Sequence, residues 1–284
     1  MNGKVTVRQI TGADTLAHFV TDLSSLSSQD PIDVILKTGI WLPLDAYSAW
    51  PVMLPWSVRD LSCRSAGGVR PELWSSPDAR GYCLDDNSFI KGTARSLKVA
   101  APAGHPLAGS KMARGFTAAH IWRDVGQDVL ASRIPLLYSF VPNLVWLPTE
   151  VAKLTDYEGR PFQRAAQQLA VALYRDAYVA PHLKPVVEEA WRMIDAPTPA
   201  DLTVQARIDS VGVNWFATSP SFFRTRHQRV EQIVSALRTL DRGAQLTKKV
   251  VSSRYTAGLS AVTPQARTEL REWLQRFQTS ATAT

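Results

Sequence analysis

The spacing of apolar positions along this 284-residue chain changes several times, and each change marks a candidate element. Leu16, Phe19, Val20 and Leu23 share one face of a helix over Ala13 to Leu23, and Asp14 favours its N-terminus through the helix dipole. Ile32 to Pro43 carries Val34, Ile35, Leu36, Ile40 and Trp41, so it reads as buried and fits either a strand or a short helix. From Trp50 to Pro77 the chain is rich in Pro, Gly, Ser and Trp, which predicts irregular structure pinned by aromatic side chains. Lys98 to Leu107 predicts a short strand and a Pro/Gly turn. Two apolar runs, Gly115 to Trp122 and Val141 to Pro148, read as strands separated by a polar loop, with a helix after the second. Phe162, Ala165, Ala166, Leu169, Ala170 and Leu173 then recur at helical spacing, and a further helix spans Pro185 to Ile194 after the stop at Ala180-Pro181.

Asp195 to Asp201 holds two prolines and reads as a linker, which places a boundary between a region at 1–194 and a module at 202–278. In that module Val204 to Phe216 suggests a strand pair. Val230, Ile233, Val234, Leu237 and Leu240 predict an amphipathic helix closed by Gly243. Val250 to Val262 suggests a hairpin. Thr263 as N-cap and Pro264 at the first helical position open the last helix, with Ala266, Leu270, Trp273, Leu274 and Phe277 inward. The tail at 279–284 is small and polar and is predicted to be disordered. Short strands interspersed with helices, rather than a βαβ series, predict an α+β fold.

Composition sharpens this picture. An apolar fraction of 45% with nine Trp supplies a real core, and a net charge of +7 favours a polyanionic partner, with nucleic acid the leading candidate. That charge is localised: between Phe223 and Phe277 eleven Arg and Lys face four Asp and Glu, an excess equal to that of the whole chain. Arg224, Arg226, Arg229, Lys248, Lys249 and Arg254 are candidate phosphate contacts of a helix-hairpin-helix-like module, against the simpler reading of a solvated basic face. Cys63 and Cys83 are too few for a zinc cluster or a disulfide framework and read as reduced thiols. The N-terminus lacks a signal-like apolar stretch and no run reaches the ~18 residues that span a bilayer, which predicts a cytoplasmic protein without membrane contact. Asp85-Asp86-Asn87-Ser88 reads as a turn between two strands, with cation or phosphate handling beside Lys91 as the alternative.

Each of the two central apolar runs carries one polar residue that core packing would not select: His120 in the first and Asn143 in the second. A lone histidine is ordinarily a strand cap or a satisfied core group, and Pro-Asn is a common way to turn into a strand. Together they allow more, because a neutral imidazole can take a proton from water and a base needs a neighbour to orient it. The strand-loop-strand-helix unit bearing His120 and Asn143 resembles the ββα-metal (HNH-type) endonucleases over about residues 115–165, within a nuclease core of about 115–180. The resemblance implies metal-dependent hydrolysis of DNA phosphodiesters, of restriction or phage-defence type, with Mg²⁺ or Mn²⁺, His120 as general base and Asn143 bracing the loop. The basic C-terminal module is then expected to bind double-stranded DNA, and symmetry suggests a homodimer so that each copy cuts one strand. The usual ligand positions are occupied by Ala119 and Ala152, which leaves Asp156 and Glu150 as candidate metal ligands and Arg123 and Arg160 as contacts to the DNA backbone. Two other readings are a non-catalytic nucleic-acid-binding or regulatory protein with a degenerate ββα unit, and an interaction protein with a buried His120 and a partner on its Trp-rich middle.

Overall fold

Caps fix the first helices. In α1 (Gly12–Phe19), Thr11 Oγ1 accepts the N–H of Asp14 at 3.1 Å while the Asp14 carboxylate accepts the N–H of Thr11 at 3.2 Å. Asp14 thus starts the helix as expected, but the helix stops at Phe19, and Leu23, placed on its buried face by periodicity, opens a 3-10 turn with 56% of its surface exposed. α2 (Pro31–Thr38) has Pro31 in its first turn and Asp30 accepting the N–H of Ile32. The chain leaves α2 at Gly39 and runs extended through Ile40 and Trp41. Residues 32–43 therefore use both predicted alternatives in succession, helix first and strand second.

The computed structural model describes residues 7–20, 22–54, 79–81, 88–126, 131, 134, 136–194, 202–246 and 257–278. Cys63, Cys83, the Asp85 to Asn87 turn, Lys248, Lys249, Arg254, the linker at 195–201, the tail at 279–284 and most of the Trp50 to Pro77 stretch lie outside those residues.

Two sheets organise the described chain, and the fold is mixed α+β. The first has strand order β1–β3–β2–β6, formed by β1 (Gln9–Ile10), β2 (Lys98–Ala100), β3 (Lys111–Met112) and β6 (Trp215–Ala217). Only β1 with β3 is parallel. The second is an antiparallel pair, β4 (Phe116–His120) with β5 (Leu144–Pro148), in register from Phe116 opposite Pro148 to His120 opposite Leu144. Ile40 and Trp41 join the two sheets. Ile40 exchanges two backbone hydrogen bonds with Trp146 of β5, while Trp41 donates to the Asn214 carbonyl and accepts from Phe216 in β6. Both side chains are fully buried.

Asn214 completes the joint. Its Nδ2 lies 3.0, 3.3 and 3.1 Å from the carbonyl oxygens of Leu36, Lys37 and Gly39, so a side chain from just before β6 satisfies the C-terminal end of α2.

Three expectations need correction. Residues 204–216 form α8 (Leu202–Val211) and then β6, not a strand pair. Leu202, Val204, Ala206 and Ile208 happen to alternate, but the positions turned inward are Val204, Ile208 and Val211, a helical spacing packed on α2. Ser88–Ala94 is a helix, α4, where a strand was expected after the Asp85 turn. Ala257–Ala261 is a 3-10 turn rather than part of a hairpin.

Around the sheets pack α3 (Leu44–Ala49), α5 (Thr149–Thr155), α6 (Pro161–Tyr174) and α7 (Lys184–Met193), while α9 (Pro220–Asp241) and α10 (Pro264–Gln278) form a helical pair linked by an Arg271–Asp241 ion pair. Gly243, at φ +73°, follows the end of α9, and Thr263 caps α10, both as the sequence suggests. Trp50, 1% exposed, fastens this pair to the rest through His227 of α9 and Phe277 of α10. α8 and β6, on the far side of the expected boundary, belong to the core and sheet of the preceding residues. Among the described residues no helix is long and apolar enough to cross a membrane.

Asn214→Ala removes the partner of the α2 carbonyls in a dry joint. We expect a loss of about 2–3 kcal/mol in urea denaturation; a change below about 0.5 kcal/mol would mean that water replaces the amide without penalty.

Candidate functional site

β5 is buried along its whole length and α5 packs against both strands of the pair, so chain order here is strand, loop, strand, helix. The helix is pinned to the start of β4 by Thr149, whose N–H and hydroxyl both donate to the Gly115 carbonyl, at 2.9 and 3.1 Å. Gly115 sits at φ +82°, and a Cβ on Gly12 would lie 2.0 Å from that same carbonyl oxygen. Two glycines thus let α1, β4 and α5 meet.

At the other end of β4 the chain is clamped. His120 Nε2 is 2.7 Å from the Tyr138 carbonyl oxygen, which can only accept, so the proton is on Nε2 and Nδ1 carries the lone pair. The Ile121 N–H donates to the Asn143 carbonyl at 3.0 Å. The Ile121 carbonyl accepts from Gln163 Nε2 of α6 at 3.2 Å. The Trp122 N–H donates to Asn143 Oδ1 at 2.7 Å, and Asn143 Nδ2 reaches back to the Leu137 carbonyl. Asn143 and Gln163 are fully buried. Asn143 therefore braces the loop between the strands.

His120 is 8% exposed, and its Nδ1 has no hydrogen-bond partner among the described residues. Burial pushes its pKa down to about 4; the Tyr138 carbonyl opposes this, and the positive charge of Arg123 adds to it. Near pH 7 the imidazole is neutral, so it can accept a proton at Nδ1.

The other candidates are dispersed. Asp156, at the C-cap of α5, is turned toward the His120 end of the pair, but Arg123 holds its carboxylate at 3.3 Å and its carbonyl at 2.8 Å. Glu150 is exposed in the first turn of α5, beside the Phe116 end of the strands. Four ladder positions, ~13 Å of strand, separate that end from His120. Ala119 and Ala152 are buried. Among the described residues no three His, Cys, Asp or Glu side chains are grouped to hold a metal ion. Arg160 is exposed at the N-cap of α6.

On α9, Arg224 is exposed and Arg229 is half-buried, donating to Gln232. Arg226 is a correction: it is 6% exposed, with its guanidinium 5.0 Å from the centre of the Phe222 ring, because 222, 226 and 230 fall on the inward face of the helix. It cannot meet a phosphate from there.

Gln163 and the Tyr138 carbonyl were missed from sequence. Gln163 carried a signal, being the one amide adjoining Phe162 on a face that also holds Ala166 and Leu169; a backbone carbonyl carries none.

Two measurements check the clamp. In the unfolded chain this imidazole binds a proton near pH 6.5, in the folded chain only near 4. Its contribution to stability is thus fully present above pH 6.5 and is lost as pH falls from 6.5 to 4, by on the order of 3 kcal/mol. His120→Gln keeps an N–H for Tyr138 and cannot titrate, so its stability should fall less steeply across that window by up to one proton's worth; parallel pH profiles would disprove the depressed pKa. Asn143→Ala leaves a buried N–H and a buried carbonyl unpaired and should lower stability by about 2–4 kcal/mol in the same assay. Comparison of the chain with protein-family models, curated proteins and solved structures gave no significant match.

Proposed function

We propose that this chain is a nuclease that hydrolyses DNA phosphodiesters, with His120 Nδ1 as the general base. The observation that carries this reading is the fixed tautomer: Nε2 is committed to the Tyr138 carbonyl, and the free lone pair stands on a neutral, nearly buried ring. A water within hydrogen-bond reach of Nδ1 gives up its proton there as its oxygen attacks phosphorus, and the leaving oxygen takes a proton from solvent. A phosphate seated beside the ring raises the imidazole pKa by favouring the imidazolium, which brings a weak base closer to its working range. Arg160 and Arg224 are exposed and suit duplex contacts, half-buried Arg229 follows on α9, and Arg123 faces the site while holding Asp156. Two copies, one per strand, suit double-stranded cutting.

Mg²⁺ or Mn²⁺ is the cofactor implied by the resemblance, and the donor set does not form a cage for it. Ala119 and Ala152 supply no ligand, Asp156 is held by Arg123, and Glu150 starts α5 at the far end of the strand pair.

Those buried alanines favour a second reading, a nucleic-acid-binding or regulatory protein that keeps the ββα order and performs no chemistry. Cleavage of plasmid and phage DNA, unmodified and modified, separates the two when wild type and His120→Ala are compared at equal DNA occupancy with Mg²⁺, Mn²⁺ or chelator. Cutting that falls about 100-fold or more in the variant supports the nuclease. Tight binding without cutting by either protein selects the second reading.

A further inference from the structure

A cavity of about 650 Å³ opens between α3, the chain after α6 and α7. It lies within the range of small-molecule sites, ~300–1,000 Å³. Its walls combine three cations, Arg175, Lys184 and Arg192, with aromatic Tyr47, Tyr178 and Trp191. None of the three cations makes an ion pair among the described residues, although Asp176 and Glu188 line the same cavity. The lining is therefore positive by one charge.

Two features are built rather than incidental. The Arg175 guanidinium lies over the Trp191 ring, 5.0 Å from its centre, which holds a planar cation ready for a second flat group to stack on it. Tyr47 is fully buried, and its hydroxyl accepts from Trp191 Nε1 at 3.1 Å. An indole N–H only donates, so the Tyr47 O–H is left to give, and it has no acceptor among the described residues. Burial pushes the Tyr47 pKa up to about 12, which keeps that proton in place. With no accessible surface of its own, Tyr47 holds the Trp191 indole in place behind the cavity wall.

We propose that this cavity binds a nucleoside phosphate: the base stacks on Arg175 and on Tyr178, which is 71% exposed, and the phosphate is met by Lys184 and Arg192. The carboxylates of Asp176 and Glu188 offer acceptors for the exocyclic amines of a base. The inference does not require the nuclease reading, because none of these residues takes part in the His120 clamp.

Isothermal titration of the full chain with nucleoside monophosphates, the matching nucleosides, inorganic phosphate and short single-stranded oligonucleotides tests it. We expect saturable, salt-sensitive binding of the monophosphates that is at least about tenfold tighter than that of either half alone. The double variant Lys184→Ala, Arg192→Ala alters exposed side chains only and should weaken it by about tenfold or more, with unchanged circular dichroism. Tyr178→Ala should weaken the monophosphate and leave phosphate unaffected, whereas His120→Gln should change neither. An oligonucleotide that competes as well as the monophosphate identifies the source as a nucleic-acid strand, and one that competes poorly identifies a free nucleotide. The proposal is overturned by absence of saturable binding, by phosphate binding as tightly as the nucleotide, or by affinity unchanged in the double variant.

Discussion

A two-residue extended segment joins the two sheets. Ile40 and Trp41 contribute four backbone hydrogen bonds, two to β5 and two to the β6 side, in a place where no water can substitute. A residue pair that faces two sheets at once leaves little freedom of register, because a slip by one position would exchange an isoleucine for an indole in both. Gly39 and Asn214 make the joint possible. The glycine lets the chain leave α2 where a Cβ would come within 2.6 Å of the Ile35 carbonyl, and the asparagine absorbs the carbonyls that the helix leaves behind.

The candidate site inherits its rigidity from that joint. β5 is held on one side by Ile40 and on the other by β4, so the Leu144 to Pro148 ladder gives His120 a fixed platform. Residues 120–122 are then tied by groups from three directions: the Tyr138 carbonyl, Asn143 on the entry to β5, and Gln163 on α6. Such a network fixes the tautomer and rotamer of one imidazole before any ligand arrives.

Parts of this were legible in the sequence for local reasons. Thr263 with Pro264 and Gly243 announce helix ends through their own backbone preferences, and His120 and Asn143 stood out as polar interruptions of apolar runs. What escaped was non-local. Asn214 serves carbonyls up to 178 residues away, Gln163 one 42 residues away, and no spacing rule reports such partners. α8 was masked by an accidental alternation of Leu202, Val204, Ala206 and Ile208. Arg226 was readable in principle, since it repeats the spacing of Phe222 and Val230, but counting charge places every arginine outside.

The Trp41 joint also has a consequence for synthesis. Its partners lie far along the chain, in β5 and then around Asn214 and Trp215, so both are present only after the chain through β6 has emerged from the ribosome. Until then the emerging chain carries an unpaired strand edge flanked by Ile40, Trp41 and Leu42, the kind of surface that pairs readily with a neighbouring chain. Closing loops of this length adds only slowly to the entropic cost, so the delay is one of timing rather than of final stability.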